Sequence, residues 1–102
     1  GKPNKVGRIG ERVSGIFSNK NKRSVKFNGK TRIPDKITKR SVMEVKNTRR
    51  LGLTRQILDY HEISKELKRR FIIKVRHTTE LSGPLMRYLQ EHPDIIIKYL
   101  PW

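Results

Sequence analysis

The sequence predicts a mixed α/β fold of the α+β kind: a mixed central sheet flanked by helices, in the order helix, three strands, helix, strand, helix, strand. Three observations predict it. Leu53, Ile57, Tyr60, Ile63 and Leu67 recur at three- and four-residue steps and so make one helical stripe. Two short, mostly apolar runs, Phe71–Val75 and Ile95–Tyr99, read as strands of a buried sheet. Asn28-Gly29, the pair that two-residue hairpin turns prefer, follows the alternating segment Val25-Lys26-Phe27.

The elements follow in order. Residues 1–4 are a polar lead-in containing Pro3. From Lys5 to Phe17, Val6, Ile9, Val13, Ile16 and Phe17 recur at helical intervals, which predicts a first helix weakened by Gly7, Gly10 and Gly15. Ser18 to Lys22 is a basic turn, and Val25–Phe27 a first strand. Thr31–Asp35 reads as the second strand, with Pro34 near its end, where a missing backbone donor is tolerated. In the third, Ser41–Lys46, strict alternation puts Val42, Glu44 and Lys46 on one face and Met43 with Val45 on the other. Leu53–Arg70 is the strongest helix, with Thr54 as a nearby cap. Leu81–Gln90 is a helix entered through Ser82-Gly83-Pro84, with proline in its first turn. No internal repeat or low-complexity tract interrupts this order.

At 102 residues the chain is a single domain, and its 33% hydrophobic content suffices for one modest core. The charge is the outlier: 25 Lys+Arg against 9 Asp+Glu give a formal net of +16. Self-repulsion of that size calls for a neutralising partner, and a nucleic acid fits best. No stretch approaches the roughly 20 apolar residues of a spanning helix, so no membrane is expected. With no cysteine, disulfides and thiolate metal sites are excluded. The start at Gly1-Lys2-Pro3, with methionine only at Met43 and Met86, suggests the C-terminal piece of a longer protein. No signal peptide lies within it.

The chemistry concentrates in Pro34-Asp35, Glu44-Val45-Lys46, and Gln56 with Tyr60. Glu44 and Lys46 stand side by side on a strand, and Asp35 can approach them from the neighbouring strand of a hairpin. Two acids and a lysine converging there can hold a divalent metal against a phosphate, as a metal-dependent nuclease requires. Each also has a plainer reading: Asp35 closing a turn, Glu44 and Lys46 as a solvated strand face, Tyr60 as core. Lys20, Lys22, Arg23, Lys36, Lys39, Arg40, Arg49 and Arg50 bracket the strands as phosphate contacts. The three histidines, His61, His77 and His92, do not form a metal-ligand set at any recognisable spacing.

Order and motifs together resemble the PD-(D/E)XK nuclease superfamily, the restriction-endonuclease fold, over roughly residues 5–100. Pro34-Asp35 and Glu44-Val45-Lys46 match the two halves of its signature, and Gln56 to Tyr60 looks like the Q-x-x-x-Y element of RecB-like members. Glu11 matches the extra acid that many members carry on the first helix. Arg32-Ile33-Pro34-Asp35, Glu44-Val45-Lys46-Asn47 and Leu81-Ser82-Gly83-Pro84-Leu85 are similar to strings in C-terminal nuclease domains of bacterial polymorphic and contact-dependent growth inhibition toxins.

The resemblance implies a divalent metal, Mg²⁺ or Mn²⁺ ahead of Zn²⁺, held by Asp35, Glu44, the Val45 carbonyl and Glu11. Lys46 would contact the scissile phosphate, orient the attacking water or act as a base, and Gln56 would orient Lys46 or a phosphate oxygen. The resemblance also implies a monomeric domain delivered into a target cell's cytoplasm, and a cognate immunity protein that is acidic where it touches the domain. DNA is favoured over tRNA as substrate because Gln56 and Tyr60 follow the RecB-like pattern. Two other functions compete: a non-enzymatic basic module that binds nucleic acid, and a metal-independent ribonuclease using His61 or His77 as base.

Overall fold

A computed structural model of the chain describes residues 13–19 and 22–101. It begins with an antiparallel hairpin of β1 (Val13–Asn19) and β2 (Lys22–Phe27), continued by β3 (Lys30–Arg32) as the third strand of a separate small sheet. Val25 and Phe27 are buried while Lys26 between them is exposed, the alternation of a half-buried strand. The turn joining β2 to β3 is the expected one: Asn28 and Gly29 both take positive φ, 51° and 78°, as a type I′ turn demands.

The helix predicted over Lys5–Phe17 is corrected over its last five residues. Val13 to Phe17 belongs to β1, and residues 1–12 lie outside the described residues. Gly15 lowers the helical preference, and pairing with β2 supplies the backbone bonds that a local helix would have made. The second predicted strand is also cut short. It stops at Arg32, because Pro34 has no N–H to donate, and pairing resumes only at β4 (Lys36–Ile37).

β4 is the edge of a second, four-stranded sheet and lies antiparallel to β5 (Ser41–Lys46), the next strand in. β5, β7 (Arg70–Val75) and β9 (Ile95–Tyr99) are mutually parallel, with Glu44 opposite Ile73 and Ile73 opposite Ile97. Parallel neighbours need a crossover, and the two helices provide it. α1 (Arg55–Glu66) joins β5 to β7, and α2 (Gly83–Glu91) joins β7 to β9. Two further two-residue strands, β6 (Arg50–Leu51) and β8 (Glu80–Leu81), pair in parallel and clip the two crossovers together. They are too short for any periodicity to announce them.

α1 begins where Thr54 caps it, its Oγ1 accepting from the Ile57 N–H at 3.2 Å. It ends four residues before the predicted Arg70, because Lys68 turns left-handed (φ 57°). The Lys68 and Arg69 N–H groups then bond the Lys65 and Ser64 carbonyls at 3.1 and 2.8 Å, a Schellman closure. Ile57, Tyr60 and Ile63 face inward against Val42, Phe71 and Ile73, and none of the six is more than 1% exposed. That packing fixes how α1 sits over β5, which decides what its polar residues can reach. In α2, the Ser82 Oγ accepts from the Leu85 N–H at 3.2 Å, and Leu85 is the helix's fully buried anchor.

Candidate metal and phosphate site

Antiparallel pairing of β4 with β5 puts Lys36 opposite Met43, so the next step along each strand brings Asp35 beside Glu44. Two hydrogen bonds strap them together. The Asp35 N–H donates to Glu44 Oε1 at 3.1 Å, and the Val45 N–H donates to Asp35 Oδ2 at 2.8 Å. Val42 and Glu44 are buried and Lys46 half-buried, whereas Val45 is exposed, as strict alternation predicts.

Lys46 ends β5 with its Nζ 3.5 Å from Glu44 Oε2, and it donates to Gln56 Oε1. Gln56 stands in the first turn of α1. Its Nε2 lies 3.5 Å from the hydroxyl of Tyr60, one turn further on the same face. Tyr60 itself is core, 1% exposed and edge-on to Phe71 at 6.3 Å. Four of the five catalytic candidates, Asp35, Glu44, Lys46 and Gln56, are therefore brought together, with the Val45 backbone between them. The fifth, Glu11, lies outside the described residues.

Burial dominates the electrostatics. It pushes the Glu44 carboxyl above its ordinary value; the Asp35 N–H and Lys46 pull the other way, while the Asp35 charge reinforces burial. Burial, and then the nearby Glu44 charge, push the Tyr60 hydroxyl up to about 12, so Tyr60 stays protonated at neutral pH. The donor set suits a hard divalent cation: one carboxylate from β5, one from the bend just before β4, and a strand carbonyl, all oxygen. A cation there would offset the same desolvation and Asp35 repulsion that raise Glu44.

Sequence reasoning missed three supports. Arg32, at the end of β3, sends Nε and Nη2 to Asp59 Oδ2 at 3.0 and 2.5 Å, tying the small sheet to α1. Asn47, directly after Lys46, takes a bond from Arg76 Nε at 2.5 Å, and the Thr79 hydroxyl donates to the Thr48 carbonyl at 2.8 Å. These hold the loop after β5 against the loop after β7. His61, finally, is wholly buried, its Nδ1 2.6 Å from the Tyr88 hydroxyl and its Nε2 2.8 Å from Asp94 Oδ2. Its ring lies 4.9 Å from that of His92. Two of the three histidines thus meet, at a sequence distance where no motif could signal it. A sealed His61 also cannot serve as a base toward a nucleic acid. His77 lies elsewhere, stacked on Tyr99 at 4.7 Å.

Of the expected phosphate contacts, Lys36, Lys39, Arg40, Arg49 and Arg50 are exposed. Lys39 and Arg40 share a groove of about 570 Å³ with Lys68, Arg69 and Arg70. Arg49 and Arg50 line another of about 350 Å³ with Arg76, where Glu80 holds Arg50 at 3.2 Å. Lys20, and the side chains of Lys22 and Arg23, lie outside the described residues. No described helix is long and apolar enough to cross a membrane.

Residues 7–85 match the family described as restriction endonuclease fold toxin 7, and the chain belongs to that family. No curated protein and no solved structure matches it. Membership accords with the α+β fold, mixed sheet and two helices described above, and it implies a nuclease toxin domain.

Proposed function

We propose that this member of the restriction endonuclease fold toxin 7 family is a metal-dependent phosphodiesterase that cuts nucleic acid, with DNA as the preferred substrate. The observation that carries the proposal is the strapped set Asp35–Glu44–Lys46–Gln56, in which two carboxylates and one ammonium are positioned by three different elements.

Asp35 and Glu44 would hold the divalent ion, Mg²⁺ or Mn²⁺, with the Val45 carbonyl beside them. When bound, such an ion polarises a phosphoryl oxygen and lowers the pKa of an attached water. The remaining work falls to the chain. Lys46, at the open end of β5, presents its ammonium to the scissile phosphate and offsets charge that builds there as the water attacks. Gln56 Oε1 fixes that ammonium, so that its direction does not depend on Glu44 alone. The exposed cations bordering both grooves supply backbone affinity without reading sequence.

The same positive surface supports an acidic immunity protein as the neutralising partner, and delivery to a target cell's cytoplasm accompanies that toxin role. The test is cleavage of plasmid DNA and of total tRNA with Mg²⁺ or Mn²⁺, with EDTA, and with Asp35→Ala. We expect cutting that needs metal and falls about 10³-fold in the variant. Cutting that survives EDTA sinks the metal assignment, and binding of either polymer without cutting leaves the basic-module reading in its place.

A further inference from the structure

We infer that His61, His92 and Asp94 form a second metal site, suited to a borderline transition ion such as Zn²⁺ and separate from Asp35 and Glu44. One ligand atom from each of the three lies within 4.8 Å of the others. They come from different places in the fold: His61 from the middle of α1, His92 from the C-cap of α2, and Asp94 from the turn before β9.

Three features favour a built site over a chance cluster. The first is rigidity. His61 has no exposed surface and stacks on Phe71 at 6.1 Å, so its ring direction is set by the core. The second is the outer partner. A ligating histidine needs its other nitrogen held, and here Nδ1 is 2.6 Å from the Tyr88 hydroxyl. That hydroxyl can donate or accept, so it accommodates both tautomers. With Nε2 on a metal, Nδ1 keeps its proton and donates it to the tyrosine oxygen.

The third feature is room to adjust. Nε2 and Asp94 Oδ2 now share a hydrogen bond at 2.8 Å. Two ligands on a tetrahedral zinc with bonds of about 2.0 Å stand about 3.3 Å apart. Asp94 must therefore withdraw by about half an ångström, and its side chain is 56% exposed on a turn, where such a shift meets little resistance.

The surroundings select the class of ion. Asp94 borders the groove lined by Lys39, Arg40, Lys68, Arg69 and Arg70. A hard cation that depends on carboxylate charge finds one carboxylate there against five cationic side chains. An ion bound chiefly by two imidazoles is less dependent on that charge, which favours zinc, cobalt or copper over magnesium and calcium. The site would join α1 to the α2–β9 turn, a structural clip at the opposite end of the parallel strands from Lys46.

Equilibrium dialysis of the Asp35→Ala chain against Zn²⁺, with bound metal measured by mass spectrometry, tests this without relying on cleavage. We expect one equivalent retained, affinity at least tenfold weaker in His92→Ala and in Asp94→Asn, and a zinc-dependent rise in unfolding temperature that both variants lose. Co²⁺ should give the visible absorption of a low-coordinate nitrogen and oxygen site. If the Asp35→Ala chain keeps no zinc, or if a folded His92→Ala or Asp94→Asn protein keeps it undiminished, the cluster is only a hydrogen-bonded chain from Tyr88 through His61 to Asp94. Circular dichroism decides which variants are folded, and either one suffices.

Discussion

Tyr60 and His61 are neighbours in α1 and both rest against Phe71, but they lead to polar clusters of opposite electrostatic character. On the Tyr60 side, burial holds the Glu44 carboxyl above its ordinary value, so the folded protein is less comfortable with that charge than the unfolded chain. On the His61 side, the hydrogen bond from His61 holds Asp94 below its ordinary value, so folding welcomes the charge. The contrast follows from position. Glu44 is buried on a strand with another carboxylate beside it, whereas Asp94 is exposed on a turn with an imidazole as partner. It identifies Glu44 as the group whose charge the protein's own side chains leave under-compensated, which is where an external cation has most to offer.

The largest effect that bears on this contrast comes from Glu44→Gln. Cleavage should fall about 10³-fold or more, yet the variant should melt higher than the parent at neutral pH. A carboxyl whose folded pKa lies above its unfolded value binds more protons when folded, so stability falls as pH rises from about 4.5 through the raised value. The gain from Glu44→Gln is therefore present at neutral pH and vanishes in acid. A variant that melts lower at neutral pH breaks the contrast.

Next comes the scaffold that the two clusters share. Asp59→Ala leaves Arg32 without its partner in a pair whose side chains are 22% and 11% exposed. We expect a loss of about 3 kcal/mol in urea unfolding. An unchanged midpoint would mean that β3 does not anchor α1.

The smallest effect is that of Asp94→Asn in metal-free buffer, and it has the opposite sign to Glu44→Gln. A depressed carboxylate contributes stability above its ordinary value of 3.8 that is lost as pH falls through the lower folded value. The variant should thus melt slightly lower at neutral pH and match the parent in strong acid. The change is small because solvent screens an exposed carboxylate. A higher melting temperature at neutral pH would show that the His61 bond does not favour the Asp94 charge.

Several elements were legible because their signals are local. Asn28-Gly29 specifies its turn through backbone conformation alone, and Ser82-Gly83-Pro84 opens α2 through a cap and a fixed φ. Ile95–Tyr99 is a strand with the predicted bounds. Alternation along Ser41–Lys46 placed Glu44 and Lys46 on one face, and the short link from Pro34 left Asp35 little choice but to meet them. The end of the first predicted helix, Val13 to Phe17, failed where local signals conflict: Val13 and Ile16 fit a helical stripe, but Gly15 weakens it and β2 offers a partner.

Local grammar was written along the chain: the turns, caps and strand faces, and the order in which an acid, a second acid, a lysine and a glutamine meet. Long-range packing is what makes Arg32 grip Asp59, clamps Asn47 with Arg76, and brings His61 to Tyr88 and Asp94. Those partners are 27 to 33 residues apart. A hydrogen bond at that range leaves no period or spacing in the sequence; it exists because the parallel crossovers of α1 and α2 return the chain to the same sheet.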